Sequence, residues 1–414
     1  MKVKKRNGNI VDFDKNKIVI AILKAMREVE EVDKELALKI ANIAEQEITD
    51  LATIDQIQDI VENNLMRFGS YKLSKAYITY RYLHDTAREN YQKVINIIQE
   101  KGSAKNVQNQ NANVDEASFG GRKGETIDEI LKDYALNHCM CKKSRDHHLN
   151  NEIYQHDLSS YYLGLHNCLS MPLDDLLANG FVTRQVDIRP ANSVNTAMQL
   201  VAVLFQIQSL QMFGGVAATH LDWTMVPYVR KSFNKHYRDG MKYVENKLYD
   251  DGTLDIVNTS IEDNWYKQNN KAYQYAMDMT IKEVNQATEG LFHNLNSLQS
   301  RSGNQLPFSS INFGTCTLTE GRMIIKALLE SSIKGVGKLH KTPIFPCSIM
   351  QIGEGINKHE GDPNYDLFKL AIKSTAKRMY PNYVNIDWSI NAGYDKNDPR
   401  TFSATMGKHK LQPM

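Results

Sequence analysis

Apolar residues in the first ninety positions recur at helical spacing after a short hairpin-like segment. Residues 3–11 place valine and isoleucine on either side of Asn7-Gly8, the pair that best tolerates a tight hairpin turn. The apolar and aromatic positions of the four helices predicted after it are Ile18, Ile22, Ala25 and Met26; Leu36, Ile40 and Ile43; Ile57, Ile60, Val61, Leu65 and Phe68; and Tyr71, Tyr77, Tyr80 and Tyr82. Residues 1–90 are therefore predicted to form a hairpin packed on a helical bundle.

Polar residues mark where three of these helices begin. Asp14 and Asp33 stand immediately before the first and second stripes, where a carboxylate can accept hydrogen bonds from free backbone N–H groups. Thr53 and Gln56 have the spacing of a capping box, in which each side chain bonds the backbone N–H of the other. The third helix is thus predicted to start at Thr53.

The remainder of the chain alternates β-like runs with helical patterns. A polar stretch with low complexity near its end, 91–112, is predicted to be a linker. The β-like runs lie at 309–313, 342–352 and 383–388, and the helical patterns at 126–136, 193–212, 270–297 and 365–378. This alternation favours an α/β domain with a barrel or a mixed sheet over residues 113–407.

Composition narrows the class of protein. With 42% hydrophobic and 24% charged residues, the chain has the make-up of a soluble globular protein. A net charge of +2 gives no argument for nucleic acid or an acidic membrane as a partner. Four glutamines interrupt the longest apolar stretch, 196–214, which favours a buried or interface helix over a membrane span. Five cysteines, an odd number, do not form a disulfide framework, so a reducing cytoplasm is expected.

The first candidate site is basic. Lys5-Arg6 beside the hairpin turn and Lys17 at the first helix could converge on a triphosphate, because lysine supplies a mobile charge and arginine a fork for phosphate oxygens. A basic hairpin alone is more often a solvated surface. Here it occurs in order with Thr53 and with the segment Ala-Tyr-Ile-Thr-Tyr-Arg at 76–81, and the whole resembles the ATP cone, a regulatory module of ribonucleotide reductases. The resemblance implies that Lys5, Arg6 and Lys17 reach nucleotide phosphates and that Thr53 helps to seat the nucleotide.

The second resemblance extends over nearly all of the remaining chain. Its motifs follow one another in the order expected for the catalytic domain of class III, anaerobic ribonucleotide reductases. They are the segments at 113–125, 153–158, 166–169, 189–197, 211–215, 305–315 and 402–407. From the residues alone, 113–125 is only a polar, glycine-hinged loop that enters a helix at Thr126.

Within these motifs Cys168 and His156 are the candidate catalytic residues. By itself a cysteine in an apolar segment is more often a small buried hydrophobe. For His156, a core histidine bonded to backbone and an active-site residue are about equally expected. The resemblance implies that Cys168 lies on the first barrel strand and takes part in reducing the ribose, with His156 in the same pocket. Met406 is a third candidate active-site residue, because it belongs to the Ala-Thr-Met-Gly string that precedes the radical cysteine of the family.

The resemblance implies a radical reaction on ribonucleoside triphosphates. In the family, a separate S-adenosylmethionine activase generates a glycyl radical, which passes to a loop cysteine that abstracts the 3′-hydrogen of the ribose, and formate is the reductant. ATP and dATP are the implied effectors of the cone. Other deoxynucleotides are implied effectors near helix 193–212 and Arg189, at the interface of a homodimer.

Part of the family pattern is missing from this sequence. The radical cysteine should follow Gly407, but Lys408 stands there, and residues 408–414 form an unrelated tail. The radical glycine and the zinc-binding cysteines would come later. We therefore expect an incomplete barrel that is inactive alone, from an interrupted or split gene whose separate C-terminal half would be a partner. The alternative is an enzyme of divergent chemistry.

Two further hypotheses stay open from the sequence. Cys139 and Cys141 lie beside His138, His147 and His148, but a single intervening residue rarely lets both sulfurs reach one tetrahedral zinc ion, so no metal site is predicted.

For function, the alternative to a reductase is a nucleotide-binding regulatory remnant in which only the ATP cone is competent. A glycyl-radical acyl lyase is disfavoured, because such an enzyme has no reason to sense nucleotides.

Overall fold

The computed structural model describes residues 1–6, 8–68, 71–102, 118–163, 168–212, 214–250, 252, 254–301, 304–388 and 395. The chain divides into two compact units, Met1–Glu100 and Lys101–Met414. Among the described residues, none of the helices is both long enough and apolar enough to cross a membrane.

The first unit is a small sheet with four helices. Its elements are β1 (Lys2–Lys4), β2 (Ile10–Asp12), α1 (Lys15–Glu28), α2 (Lys34–Glu47), β3 (Ala52–Thr53), α3 (Ile54–Phe68) and α4 (Tyr71–Gly102). The predicted hairpin is confirmed, because β1 pairs antiparallel with β2, Val3 opposite Val11. Strand β3, which was not predicted, pairs parallel with the other edge of β1, Lys4 opposite Thr53.

The helical stripes form the core of this unit. Asp14 and Asp33 cap α1 and α2 as predicted, accepting from the backbone N–H groups of Asn16 and Leu36 at 3.0 Å. The buried residues of α1 are those predicted: Ile18, Ile22, Ala25 and Met26. In α2 the buried face is rotated by about one residue, to Ala37, Ile40, Ala41 and Ala44. Small alanines allow a close helix contact, which leaves the larger Leu36 and Ile43 at its margins.

Two sequence expectations in this unit differ from the structure. Phe68, placed on the inward stripe of α3, is 44% exposed, and the ammonium group of Lys39 lies over its ring. Residues 91–102, expected to begin the linker, continue α4 to Gly102. The rest of that stretch, 103–112, lies outside the described residues.

The second unit is an α/β fold around a parallel sheet. Its helices are α5 (Phe119–Tyr134), followed by a π-helical turn (Ala135–Cys139), α6 (Lys142–Leu149), α7 (Leu158–Tyr161), α8 (Leu173–Asn179), α9 (Val194–Ser209), α10 (Leu221–Thr224), α11 (Val226–Tyr243), α12 (Asn264–Lys267), α13 (Asn270–Ser297), α14 (Thr319–Lys334) and α15 (Tyr365–Arg378). Its strands are β4 (Leu169–Ser170), β5 (Phe181–Val182), β6 (Asp187–Ile188), β7 (Val216–Ala218), β8 (Ser309–Phe313), β9 (Cys347–Ile352) and β10 (Asn382–Asn385).

Five of these strands form one sheet in the order β10-β9-β8-β7-β4, with every neighbouring pair parallel. Ile311, Phe313 and Met350 belong to the core that α9, α13 and α14 cover. The predicted class, a hairpin-and-helix unit followed by an α/β fold, is confirmed. Within the described part of the chain the sheet is open, with β4 and β10 at its edges.

Candidate nucleotide site and candidate thiol site

In the first unit Lys5 and Arg6 leave β1 at the end where β3 leads into α3. Lys5 closes the hairpin turn: its backbone N–H donates to the Asn9 carbonyl at 2.8 Å, and its carbonyl accepts from the Gly8 N–H. Gly8 has φ +83°, a conformation that favours glycine. The Lys5 side chain is left exposed beside the turn.

Arg6 is held by acidic and amide groups of α3 and α4. Its guanidinium pairs with the carboxylate of Asp55, lies 3.0 Å from a carboxylate oxygen of Asp85, and donates to Oε1 of Gln58 at 2.8 Å. The hydrogen bond from Arg6 is the largest cause that lowers the pKa of Asp55. The fork of Arg6 is therefore presented to oxyanions, and side-chain carboxylates occupy it in this structure.

The same face carries two more arginines. Arg81 contacts Asp59 at 2.7 Å, Glu62 at 3.0 Å and Asp85 at 3.6 Å. Arg88 pairs with Asp85 from the next turn of α4. Asp85 and Arg88 were not predicted, because they lie beyond the segment 76–81 that resembles the ATP cone.

Lys17 lies at the other end of β1. Strand β2 runs back from the hairpin turn, so α1 begins beside Lys2 and Asp12, which face each other in the sheet. The three residues of β1, about 10 Å of extended chain, lie between the hairpin turn at Lys5 and the end of the sheet where α1 begins. The structure gathers Arg6 and Thr53 at one end of β1, and the convergence of all four predicted residues on one triphosphate stays a prediction.

Thr53 and Gln56 form the predicted capping box. The Thr53 hydroxyl accepts from the Gln56 N–H at 3.3 Å, and Oε1 of Gln56 accepts from the Thr53 N–H at 2.8 Å. The Thr53 hydroxyl thus already orders the start of α3, on which Asp55 and Gln58 hold Arg6.

We expect Thr53→Ala to lower the local free energy of unfolding of α3 by about 1 kcal/mol, because the Gln56 N–H loses its acceptor. Hydrogen exchange of the α3 amides in the full chain measures this. Thr53→Ser keeps the hydroxyl and should leave the exchange rates close to those of the original protein. Equal rates in all three proteins would mean that the capping box does not stabilise the helix.

In the second unit Cys168 stands immediately before β4, the edge strand of the parallel sheet. Its Sγ accepts a hydrogen bond from the Gly215 N–H at 3.4 Å, and the following Leu169 N–H donates to the Gly215 carbonyl at 3.0 Å. The thiol is neither fully buried nor fully exposed. Cys168 therefore lies at the amino-terminal end of the sheet. Its neighbours His166 and Asn167, and the predicted residue Met406, lie outside the described residues.

His156 is on the surface rather than in a closed pocket. Its side chain is 58% exposed, and Nδ1 contacts the carboxylate of Asp157. Asp157 precedes the short helix α7 with φ +63°. That His156 shares a pocket with Cys168 stays a prediction. One further charged residue of this unit was not singled out from the sequence.

That residue is Arg301, which follows α13. Its backbone bridges to Gln305, and its guanidinium lies over the ring of Phe308, 4.6 Å from the ring centre. Burial lowers the pKa of Arg301, while the negative charges of Asp157 and Asp128 oppose that lowering. No local pattern in the sequence indicates Arg301, and only the fold brings its guanidinium to Phe308.

The glycine-rich motif at 118–121 packs against Asn304. The Asn304 side-chain amide donates to the Ser118 hydroxyl at 2.8 Å, and the same hydroxyl caps α5 by accepting from the Gly121 N–H. A Cβ atom on Gly120 would lie 2.6 Å from Oδ1 of Asn304. The motif therefore packs closely against the Asn304 side chain.

The carboxyl end of the sheet is a buried polar network around Gly314. Asp222 accepts from the N–H groups of Gly314 and Cys316, each at 2.9 Å. Asn357 and Asn364 donate to the Gly314 carbonyl. Gly314 has φ +126°, and a Cβ there would lie 2.7 Å from the Gln351 carbonyl. Burial raises the pKa of Asp222, as it does for Cys316. This network fixes the strand ends, and Cys316 is one of its buried members.

Histidines and cysteines near α6 are engaged in other contacts. His147 contacts Glu152, His148 accepts from the Gln155 N–H at 3.1 Å, and Cys141 contacts the Ser144 hydroxyl at 3.2 Å. Within the described ranges, no group of three or more histidine, cysteine, aspartate or glutamate side chains is arranged to hold a metal ion.

Comparison with known families gives two matches, one for each of the two structural units. Residues 110–408 match the family model described as "Anaerobic ribonucleoside-triphosphate reductase", and residues 1–86 match the "ATP cone domain".

Named relatives carry the same description. The anaerobic ribonucleoside-triphosphate reductase of Escherichia coli K12 is 31% identical over 93% of this chain and 51% of its own length. That of Haemophilus influenzae is 30% identical over 97% of this chain and 54% of its own length. Among solved structures, the Thermotoga maritima anaerobic ribonucleotide reductase in complex with dATP and CTP aligns with a TM-score of 0.45 at 13% identity, over 74% of this chain and 50% of that one. The chain spans about half the length of the curated relatives it matches.

Proposed function

Because the chain belongs to the anaerobic ribonucleoside-triphosphate reductase family and begins with an ATP cone, we propose that it acts in the reduction of ribonucleoside triphosphates to deoxyribonucleoside triphosphates. The observation that carries the proposal is the place of Cys168, within the matched region and at the amino-terminal end of the first strand of the parallel sheet. The family's glycyl radical would supply the radical chemistry, and formate the reducing equivalents.

The role of this chain's own residues follows from their positions. Cys168 takes part in reducing the ribose, with its Sγ oriented by the hydrogen bond from the Gly215 N–H. His156 and Met406 are the other proposed active-site residues. Five cysteines without disulfides are consistent with a reducing cytoplasm. The proposed protein partners are a radical S-adenosylmethionine activase, a second copy of the chain, and a separately encoded C-terminal half. Deoxynucleotide effectors would bind near α9 and Arg189.

The ATP cone is the proposed regulatory site for ATP and dATP. Lys5, Arg6 and Lys17 would contact the phosphates, and Thr53 would help to seat the nucleotide. Support comes from Arg6, whose guanidinium already binds the carboxylates of Asp55 and Asp85 and the amide oxygen of Gln58, oxygen acceptors that phosphate oxygens would replace.

An anaerobic turnover assay tests the reductase proposal. The purified chain is supplied with an activase, formate, ATP and a ribonucleoside triphosphate, with and without a polypeptide that covers the C-terminal half of the family's length. Deoxynucleotide formation in the complemented sample, lost in Cys168→Ala, is the expected result. Turnover that survives Cys168→Ala would refute the role of the thiol. ATP binding without turnover in any combination would favour the second candidate, a regulatory protein in which only the cone is competent.

A further inference from the structure

A hydroxyl, an imidazole ring and a carboxylate lie in sequence at the carboxyl end of the sheet. Thr219 and His220 follow β7 directly, and Asp174 lies in the first turn of α8, which follows the neighbouring strand β4. Oγ1 of Thr219 is 2.8 Å from Nδ1 of His220, and Nε2 of the same ring is 3.0 Å from Oδ2 of Asp174. Because β4 and β7 are parallel neighbours, their carboxyl ends lie side by side, at the opposite end of the sheet from Cys168.

The carboxylate of Asp174 determines which ring nitrogen of His220 carries the proton. An ionised carboxylate only accepts hydrogen bonds, so Nε2 of His220 donates to Oδ2, and the Thr224 hydroxyl donates to Oδ1 at 2.6 Å. The lone pair of the neutral ring then lies on Nδ1, and the Thr219 hydroxyl donates to it. The Thr219 oxygen is therefore polarised by a base whose own orientation is fixed by a carboxylate.

The backbone of Thr219 is fixed, but the group lies within reach of solvent. The Thr219 carbonyl accepts from Nε2 of Gln351 at 3.2 Å, which ties the end of β7 to β9. Thr219 and His220 are half-buried, and the Asp174 side chain is 56% exposed. A small solute can therefore approach the three groups from the carboxyl end of the sheet.

A second histidine–carboxylate pair in the same unit has a different order. Nε2 of His236 contacts Glu283 at 2.8 Å, and the Ser232 hydroxyl donates to the same carboxylate at 3.2 Å. Here the carboxylate lies between the hydroxyl and the ring, so the hydroxyl proton is directed to the acid. At Thr219 the ring lies between the hydroxyl and the acid, which is the order that activates a nucleophile.

We propose that Thr219 is a nucleophile that accepts acyl groups from small activated esters, with His220 as its general base and Asp174 as the residue that positions the ring. A neutral acyl carbonyl suits this site, because the carboxylate of Asp174 would repel the anionic oxygens of a phosphoryl donor. The site is separate from Cys168 and does not depend on the proposed reductase function.

The reaction is a simple acyl transfer. The Thr219 oxygen forms a bond to the acyl carbon, and the bond from that carbon to the leaving oxygen breaks. The hydroxyl proton passes to Nδ1 of His220 and from there to the leaving group. The products are an ester of Thr219 and the free alcohol of the donor.

The competing explanation is that these groups only tie α8 to the end of β7. Both explanations predict that the loss of His220 loosens this end of the sheet. They differ in one respect: only a nucleophile makes acylation of Thr219 depend on a base that free imidazole can replace.

Incubation of the full 414-residue chain with p-nitrophenyl acetate separates the two explanations. Absorbance follows the release of p-nitrophenolate, and peptide mass spectrometry identifies the acetylated residues. We expect acetylation of Thr219 to be slower by about 100-fold in His220→Ala, the scale of general-base catalysis, and to recover in part when imidazole is added. Asp174→Asn should slow it less, by about tenfold, because water can replace part of the contact of a half-exposed carboxylate.

Substitutions of the hydroxyl itself complete the test. Thr219→Val keeps the shape of the side chain and should lose the adduct, whereas Thr219→Ser should retain it. Thr183→Val is the matched control, because the half-buried Thr183 donates its hydroxyl to the Val186 carbonyl at 3.0 Å and has no base as its partner. This variant should react at the rate of the original chain.

Three results would overturn the proposal: no acetyl group on Thr219, an equal rate of its acetylation in His220→Ala, or no recovery with imidazole. If tryptophan fluorescence shows that His220→Ala is misfolded, His220→Gln carries the comparison, since it fills the site without a ring base. An undiminished rate in His220→Gln would then exclude His220 as the base.

Discussion

Replacing Lys5 and Arg6 together by alanine is expected to weaken ATP binding to the full chain by at least ~2 kcal/mol. Charge-assisted hydrogen bonds to phosphate contribute roughly 1.5–3 kcal/mol each, and the double change removes a point charge and a fork from the same hairpin. Isothermal titration calorimetry measures the affinity. An unchanged dissociation constant would refute the site.

A control of equal charge is available in the same unit. Lys34→Ala with Arg67→Ala also removes one lysine and one arginine, both exposed. Arg67 lies in the last turn of α3, about 20 Å along the helix from the Arg6 contacts at its start. The affinity of this control for ATP should stay close to that of the original chain, because only the net charge has changed.

A substitution that is expected to strengthen ATP binding tests the same site. Asp85→Asn removes one of the two carboxylates that Arg6 contacts, so a phosphate would no longer compete with it for the guanidinium. We expect ATP to bind more tightly by up to about 1 kcal/mol, the scale of a partly exposed ion pair. Weaker binding in Asp85→Asn would mean that the carboxylate organises Arg6 for the nucleotide instead of competing with it.

Local patterns predicted the elements that are specified by nearby residues. The stripe on α1, its Asp14 cap and the Thr53–Gln56 capping box all depend on contacts within four residues, and they are present. The run 309–313 was predicted to its ends, and all five of its residues are buried, as in a parallel strand covered on both faces. Helix α13 likewise occupies the predicted 270–297.

Contacts between distant residues could not be predicted in this way. Strand β3 is two residues long and exists only because β1 offers an edge to it. The partners of Arg6 lie on α3 and α4, and Arg301 packs on Phe308 just before β8, so neither contact leaves a periodic signal in the sequence. The buried face of α2 differs from the predicted one, because small alanines rather than Leu36 and Ile43 lie where the helix packs most closely on its neighbours.

The second large effect concerns Glu320, whose side chain is fully buried in the second unit. Its Oε1 accepts from Nε of Arg230 at 2.7 Å and from the Ile261 N–H at 3.1 Å, and Arg230 also donates to the Val257 carbonyl at 2.8 Å. This one carboxylate therefore joins α14 to α11 and to the loop at 257–261.

Glu320→Ala is expected to lower the free energy of unfolding of the second unit by about 3–5 kcal/mol, because it leaves the Arg230 charge and the Ile261 N–H buried without their acceptor. All three tryptophans, Trp223, Trp265 and Trp388, belong to this unit, so tryptophan fluorescence in a urea titration of the full chain follows its unfolding. The midpoint should fall with little change in slope.

An exposed ion pair between α14 and α15 is the control for Glu320→Ala. Arg322 contacts Asp366 at 2.9 Å, but the Asp366 side chain is 61% exposed, so Asp366→Ala should cost no more than about 1 kcal/mol. Replacing Arg230 and Glu320 together by methionine removes both charges and should recover part of the stability lost in Glu320→Ala, because no buried charge is then left unpaired. Equal losses for Glu320→Ala and Asp366→Ala would show that burial does not strengthen the Glu320 contact.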